Sequence, residues 1–309
     1  MLCSTGMGET VLGTITNLAA EFTPNPIPIE SHVKLDDPFI HAFDLLRQVE
    51  EVKRDVTLGQ AFHLYSEERH YSLNIATLLY YFLYYLNNYR NDKSVRWDFY
   101  SRLTLDVELL LTNTRSFLDS IYKLALLFSD EASRVPRNRQ KSFGRFTEWI
   151  KENNISFDQP LSFMTELAPW GLTIRSVRDD YIHRGYEAEP FWDRDEVYFY
   201  PYLSDRKISP MPDCFYRVDS PSPSMTASLK PIYLRKFVVY TAVPVIAAEL
   251  VLGRFLIELF SARYGPWASY DYGCPFKANP SIQALYNLIL QNKECLERAI
   301  YQTTYFTKT

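Results

Sequence analysis

Apolar side chains recur at intervals of three and four along most of this chain, and that spacing predicts a mainly α-helical protein. A first helix is expected in "DDPFIHAFDLLRQVEEVKR", where Asp36 or Asp37 caps and Phe39, Phe43, Leu46 and Val49 share a face. The next segment, "LGQAFHLYSEERHYSLNIATLLYYFLYYLNNYRND", carries tyrosines on nearly every face, so burial on several sides is expected. A long helix without Gly or Pro follows from about 98 to 129, with a broad leucine stripe suited to an inter-helix core. After the basic turn "RVPRNRQK" (134 to 141) come a short helix in "FGRFTEWIKENN" and another over 161 to 183.

Alternation then replaces helical spacing. "DEVYFYPYL" (195 to 203) and "CFYRV" (214 to 218) read as two strands of a hairpin, joined by the turn-forming "SDRKISPMPD". An apolar helix is expected over 232 to 264, and a final amphipathic one over 280 to 300. Three regions result: an N-terminal helical region (1 to 95), a central helical bundle (96 to 265) with a β insertion at about 195 to 230, and a C-terminal bend and helix (266 to 309).

Composition narrows the function classes. The chain has 309 residues, 47% of them hydrophobic and 16% aromatic, which is far from the signature of disorder. With only 10 Gly it has neither G-x-G-x-x-G before a helix nor a P-loop, which argues against a Rossmann or P-loop enzyme. The net charge of −4 means that any nucleic-acid binding must use a local positive patch. Cys3, Cys214, Cys274 and Cys295 are scattered and fit neither a zinc site nor a disulfide framework, so a reducing cytoplasm is expected. The first residues lack a basic n-region and carry Glu9, and are not read as a targeting segment. The apolar run 237 to 260 holds Glu249, Arg254 and Glu258, and each would cost about 2.5 to 3.5 kcal/mol in hydrocarbon. It is read as a buried core helix, with no membrane partner.

Four stretches could carry chemistry. His63, Glu67 and His70 share one helix face and could ligate a metal, but the chain has no second E-x-x-H, and a solvated polar face explains them more simply. The run "LLYYFLYYLNNYR" lacks interleaved Lys or Arg, so core packing is preferred to a base-stacking platform. The triplet "NIS" (154 to 156) is a sequon without context. The fourth is "SVRDDYIHRGYEA" (176 to 188), where Arg178 precedes His183 by five residues on or beside one helix.

This R-x4-H, at the end of "WGLTIRSVRDDYIHRG" and after the long helix containing "TRSFLDSIYKLALLF", resembles the motif of the HEPN family (higher eukaryotes and prokaryotes nucleotide-binding domains). The likeness covers roughly residues 96 to 265. It implies a HEPN-like helical bundle with a small β-hairpin insertion, to which the extra N-terminal helices are added, and a homodimer. It also implies a metal-independent endoribonuclease like the toxin and defence ribonucleases of prokaryotes, with RNA or nucleotide as ligand, no cofactor, and an antitoxin or other protein as a further partner. Arg178 and His183 would be catalytic, with Asp179, Arg184 and Tyr186 supporting. This chain departs from the pattern twice. Asp179 stands where many catalytic members have Asn or His, and its charge would repel phosphate. Gly185 stands two residues after the histidine, where one variant has Tyr; Tyr186 comes one later.

The chemistry stands apart from the resemblance. Metal-free RNA cleavage needs a base for the 2′-OH, an acid for the leaving 5′-oxygen, and positive charge on the phosphorane. Histidine serves either proton transfer, and arginine is a planar, bidentate phosphate ligand. One of each per chain is too few, and a two-fold dimer doubles them. Against this, Arg178 could pair with Asp179, Asp180 or Glu187, and His183 could close a helix ahead of Gly185. The alternative function is a non-catalytic nucleotide-, RNA- or protein-binding dimerisation module.

Overall fold

The computed structural model describes residues 42–43, 56–89, 91–193, 196–203 and 231–264. Four long α-helices and one short one lie among them: α1 (Val56–Asn88), α2 (Lys93–Leu127), the short α3 (Phe143–Asn153), α4 (Leu161–Arg184) and α5 (Leu234–Tyr264). Three strands, β1 (Tyr186–Asp193), β2 (Glu196–Leu203) and β3 (Ile232–Tyr233), form an antiparallel sheet between α4 and α5 in the order β1-β2-β3. The chain is thus mostly helical with a small sheet. Of the first expected helix, Ala42 and Phe43 are described, and both are helical and buried. The expected strand at 214 to 218 and helix at 280 to 300 lie outside the described residues.

Helix α2 begins five residues before its expected start because Asp92 supplies the cap. Its carboxylate accepts the Ser94 N–H at 2.8 Å and the Ser94 hydroxyl at 2.6 Å, which satisfies an otherwise free helix donor. α1 packs along α2, and α5 lies against both. A continuous apolar core runs from Phe43, stacked on Tyr65 at 4.2 Å, to Phe260 at the end of α5. The described part of the N-terminal region therefore shares its core with the central bundle. The tyrosine-rich segment divides: Tyr65, Tyr85 and Tyr89 are buried, whereas Tyr81 and Tyr84 are exposed on the outward face of α1. The Arg102 guanidinium sits over the Tyr81 ring, 5.4 Å from its centroid.

The described hairpin is formed by β1 and β2, while the expected partner strand at 214 to 218 lies outside the described residues. β2 covers residues 196 to 203 of the expected strand, and it pairs with β1 in the register Tyr186↔Leu203 to Asp193↔Glu196. "YEAEPFWD" escaped the sequence reading because Pro190 and two glutamates argue against a strand. β1 lies at the sheet edge, where a missing N–H is tolerated. Its inner face, Tyr186, Ala188 and Pro190, is buried, and Thr104 of α2 accepts the Ala188 N–H at 2.9 Å. Residues 232 and 233, expected to open the apolar helix, instead pair with β2 before α5 begins. The run 237 to 260 lies within α5, whose Tyr240 carbonyl accepts the buried Trp170 indole N–H at 3.0 Å. Among the described residues no helix is long and apolar enough to cross a membrane.

Pro169 and Gly171 lie inside α4 rather than ending it. Gly171 allows α3 to approach: a Cβ there would lie 2.4 Å from Phe143 Cε1, well inside contact distance. Gly171→Ala is expected to lower stability by about 1 to 3 kcal/mol through overpacking, read as a lower denaturation midpoint with an unchanged denaturant slope. A midpoint at or above that of wild type would show that the helices are not closely packed here.

Asp106 of α2 is 1% exposed, and neither carboxylate oxygen has a hydrogen bond among the described residues. Arg102 lies 3.5 Å away. Burial pushes the Asp106 carboxyl above its usual range, and Arg102 only partly opposes this. The folded state therefore binds the proton more tightly than the unfolded chain does. Asp106 favours folding fully below the ordinary carboxylate range, and that contribution is lost as pH rises through the elevated folded value. Asp106→Asn, which mimics the protonated form, should raise stability at pH 7 by on the order of 1 kcal/mol, with the gain vanishing toward pH 4. A lower melting temperature at pH 7 would contradict this.

Candidate functional site

The R-x4-H stretch forms the last two turns of α4. The helix stops at Gly185, which adopts a left-handed conformation (φ +64°) and returns its N–H to the Asp180 carbonyl. A side chain with a Cβ is disfavoured there, so glycine fixes where His183 lies relative to β1. His183 and Arg184 occupy the final turn, where cations oppose the negative end of the helix dipole.

Arg178 and His183 are brought together. Arg178 Nη1 lies 3.4 Å from His183 Nε2. The arginine side chain is only 16% exposed, while His183 is exposed to solvent. Arg178 Nε is buried without a hydrogen-bond partner among the described residues.

Asp179 supplies the expected ion pair. Its Oδ1 accepts a hydrogen bond from Arg178 Nη1 at 2.8 Å, and its Oδ2 lies 3.8 Å from Arg175 Nε. The carboxylate is shared between two guanidinium groups, so its charge is largely opposed before any ligand arrives. Arg175 reaches Glu148 of α3 at 2.5 Å, and Arg139 lies 3.7 Å from Glu148 and 3.8 Å from Glu152. An alternating chain of charges therefore runs from α3 and the turn before it to His183. Gly144 leaves room for this chain, since a Cβ there would come 3.2 Å from Arg175 Nη1. Partly exposed pairs of this kind add little stability.

The two remaining supporting residues face other partners. Arg184 pairs with Asp180 at 3.1 Å. Asp180 is buried, which pushes its carboxyl above the usual range, while Arg184 opposes the shift. Tyr186 is 3% exposed and packs its ring 5.8 Å from that of Tyr181, as a core residue. The metal alternative gains nothing from the geometry. His63 Nε2 lies 3.6 Å from Glu67, His70 faces Asn74 at 3.2 Å, and Glu67 also accepts from Ser120. Among the described residues no three His, Cys, Asp or Glu side chains are grouped as a metal site requires.

Sequence reasoning missed Arg175 and Glu148. Arg175 was within its reach, because it stands three and four residues before Arg178 and Asp179 and so shares their helix face. Glu148 was not, since only the tertiary packing of α3 on α4 brings it there. No family model matches the chain, and neither a curated protein nor a solved structure matches it.

Proposed function

We propose that this chain is a HEPN-like, metal-independent endoribonuclease that acts as a homodimer in the cytoplasm. The observation that carries this reading is the 3.4 Å approach of Arg178 Nη1 to His183 Nε2 at the solvent-facing end of α4. A phosphodiester there would meet a permanent cation and an imidazole side by side. Arg178 would hold the non-bridging oxygens, whose charge grows in the transition state. The 2′-oxygen attacks phosphorus while its proton passes to one imidazole. The bond from phosphorus to the 5′-oxygen breaks, and that oxygen takes a proton from the second imidazole. The products are a 2′,3′-cyclic phosphate and a free 5′-hydroxyl. The second imidazole is His183 of another copy, so the reading requires a dimer with both motifs at one cleft.

One observation favours the alternative, a non-catalytic nucleotide-, RNA- or protein-binding dimerisation module. The Nη1 that faces His183 already donates to Asp179. Asp179→Asn separates the two readings: in the enzyme it removes a competing anion and holds or raises cleavage, while in a binding module there is no cleavage to change. Sedimentation analysis of the purified chain tests the shared requirement, and a strictly monomeric protein at micromolar concentration would overturn the catalytic reading.

A further inference from the structure

The turn between α2 and α3 concentrates positive charge against an acidic background. From residue 134 to 147 the chain carries Arg134, Arg137, Arg139, Lys141 and Arg145 and no acidic residue, although the whole protein has a net charge of −4. Not all five are free to bind. Arg134 pairs with Glu131 and lies over the Phe157 ring, and Arg139 faces Glu148 and Glu152. Arg137, Lys141 and Arg145 are exposed, and none of them forms an ion pair with a carboxylate among the described residues.

The turn is also held in shape. The Arg139 N–H donates to the Pro136 carbonyl at 2.7 Å. The Gln140 side-chain amide donates to the Val135 carbonyl at 2.7 Å and to the Ala132 carbonyl at 3.1 Å, and the Tyr122 hydroxyl donates to the Arg139 carbonyl at 3.2 Å. Ser142 accepts from the Arg145 N–H at 3.4 Å as α3 begins, and Asp119 of α2 accepts the Phe143 N–H at 2.8 Å. The backbone that presents the cations is thereby anchored to α2, so little ordering remains to oppose binding.

We infer that Arg137, Lys141 and Arg145 form a contact surface for the phosphate backbone of RNA, leading to the Arg178–His183 site. Continuity favours RNA over an acidic protein. The alternating ion pairs Arg139, Glu148, Arg175, Asp179, Arg178 connect this turn to the place where Arg178 Nη1 lies 3.4 Å from His183 Nε2. Backbone contacts of this type position a nucleic acid without reading its sequence. The inference rests on the RNA reading of that site, but it concerns binding, which can be measured without cleavage.

The test uses the full-length chain carrying His183→Ala and a fluorescently labelled 20-nucleotide oligouridylate, with binding followed by anisotropy from low to moderate salt. The triple variant R137Q/K141Q/R145Q should bind roughly 10- to 100-fold more weakly. Its slope of log affinity against log salt should be shallower by about 2, as expected for three lost single-strand phosphate contacts. The charge-preserving R137K/K141R/R145K should restore both, which guards against misfolding of the triple variant. Wild-type affinity and slope in the triple variant would overturn the inference, as would equally tight binding of polyglutamate, which would mark a site for acidic protein. RNA binding through this surface by a chain that cleaves none would sustain the inference and defeat the catalytic reading alone.

Discussion

His183→Ala should reduce RNA cleavage by about 10²- to 10⁴-fold, the usual worth of a positioned general acid or base. In a symmetric dimer the substitution removes both imidazoles from the cleft at once, so the loss should fall at the upper end of that range. Arg178→Lys should be impaired as well. Lysine keeps the charge but has neither the planar fork nor the Nη1 that reaches Asp179 and His183 together. His183 is exposed, and lysine keeps the aliphatic stem and charge of the largely buried Arg178, so circular dichroism and dimer size should match those of wild type. The effect belongs in kcat more than in KM for His183, because proton transfer matters in the transition state and not in the bound complex. Equal cleavage by His183→Ala and wild type would refute the assignment.

The second large effect is on stability. Phe146→Ala should cost about 3 to 5 kcal/mol, the range for removing a fully buried phenylalanine. Phe146 joins α3 to the rest of the fold. Its ring lies 4.7 Å from that of Tyr122 on α2, 6.2 Å from Trp149 and 6.0 Å from Phe157. Tyr122 and Phe146 are both 0% exposed, so this contact zone excludes water. A domain is typically stable by about 5 to 15 kcal/mol, so a loss of this size is a large fraction of the total. It should also release the cationic turn, since α3 and Tyr122 both hold that turn. The check is chemical denaturation together with the RNA-binding slope of the variant. A loss below about 1 kcal/mol would mean that α3 is not part of the cooperative core.

Helices whose apolar period is unbroken were legible in the sequence. The α2 and α5 regions read correctly from leucine and valine spacing, and α3 and α4 from theirs, with ends misplaced by a few residues where a cap or a short strand intervened. β1 was not legible, because an edge strand tolerates the proline and glutamates that argue against a strand. The outward turn of Tyr81 and Tyr84 was hidden as well, since a tyrosine-rich helix does not reveal which of its faces meets a neighbour. In the candidate site, Arg178 and His183 could be named because their R-x4-H spacing resembles the HEPN motif, whereas their 3.4 Å approach depends on side-chain conformations that the spacing does not fix. The shared Asp179 carboxylate was foreseen only in part, and Glu148 not at all, because the pairing of α3 with α4 is tertiary. The basic turn was visible as composition, whereas its anchoring by Gln140 and Tyr122 depends on packing.

The central claim is most directly tested by the ends of the RNA product. Purified wild-type chain, incubated in EDTA with an end-labelled RNA panel, should yield fragments ending in a 2′,3′-cyclic phosphate and beginning with a 5′-hydroxyl, while His183→Ala run in parallel should yield almost none. Absence of cleavage across the panel, cleavage abolished by EDTA, or fragments with a 3′-hydroxyl would contradict the account.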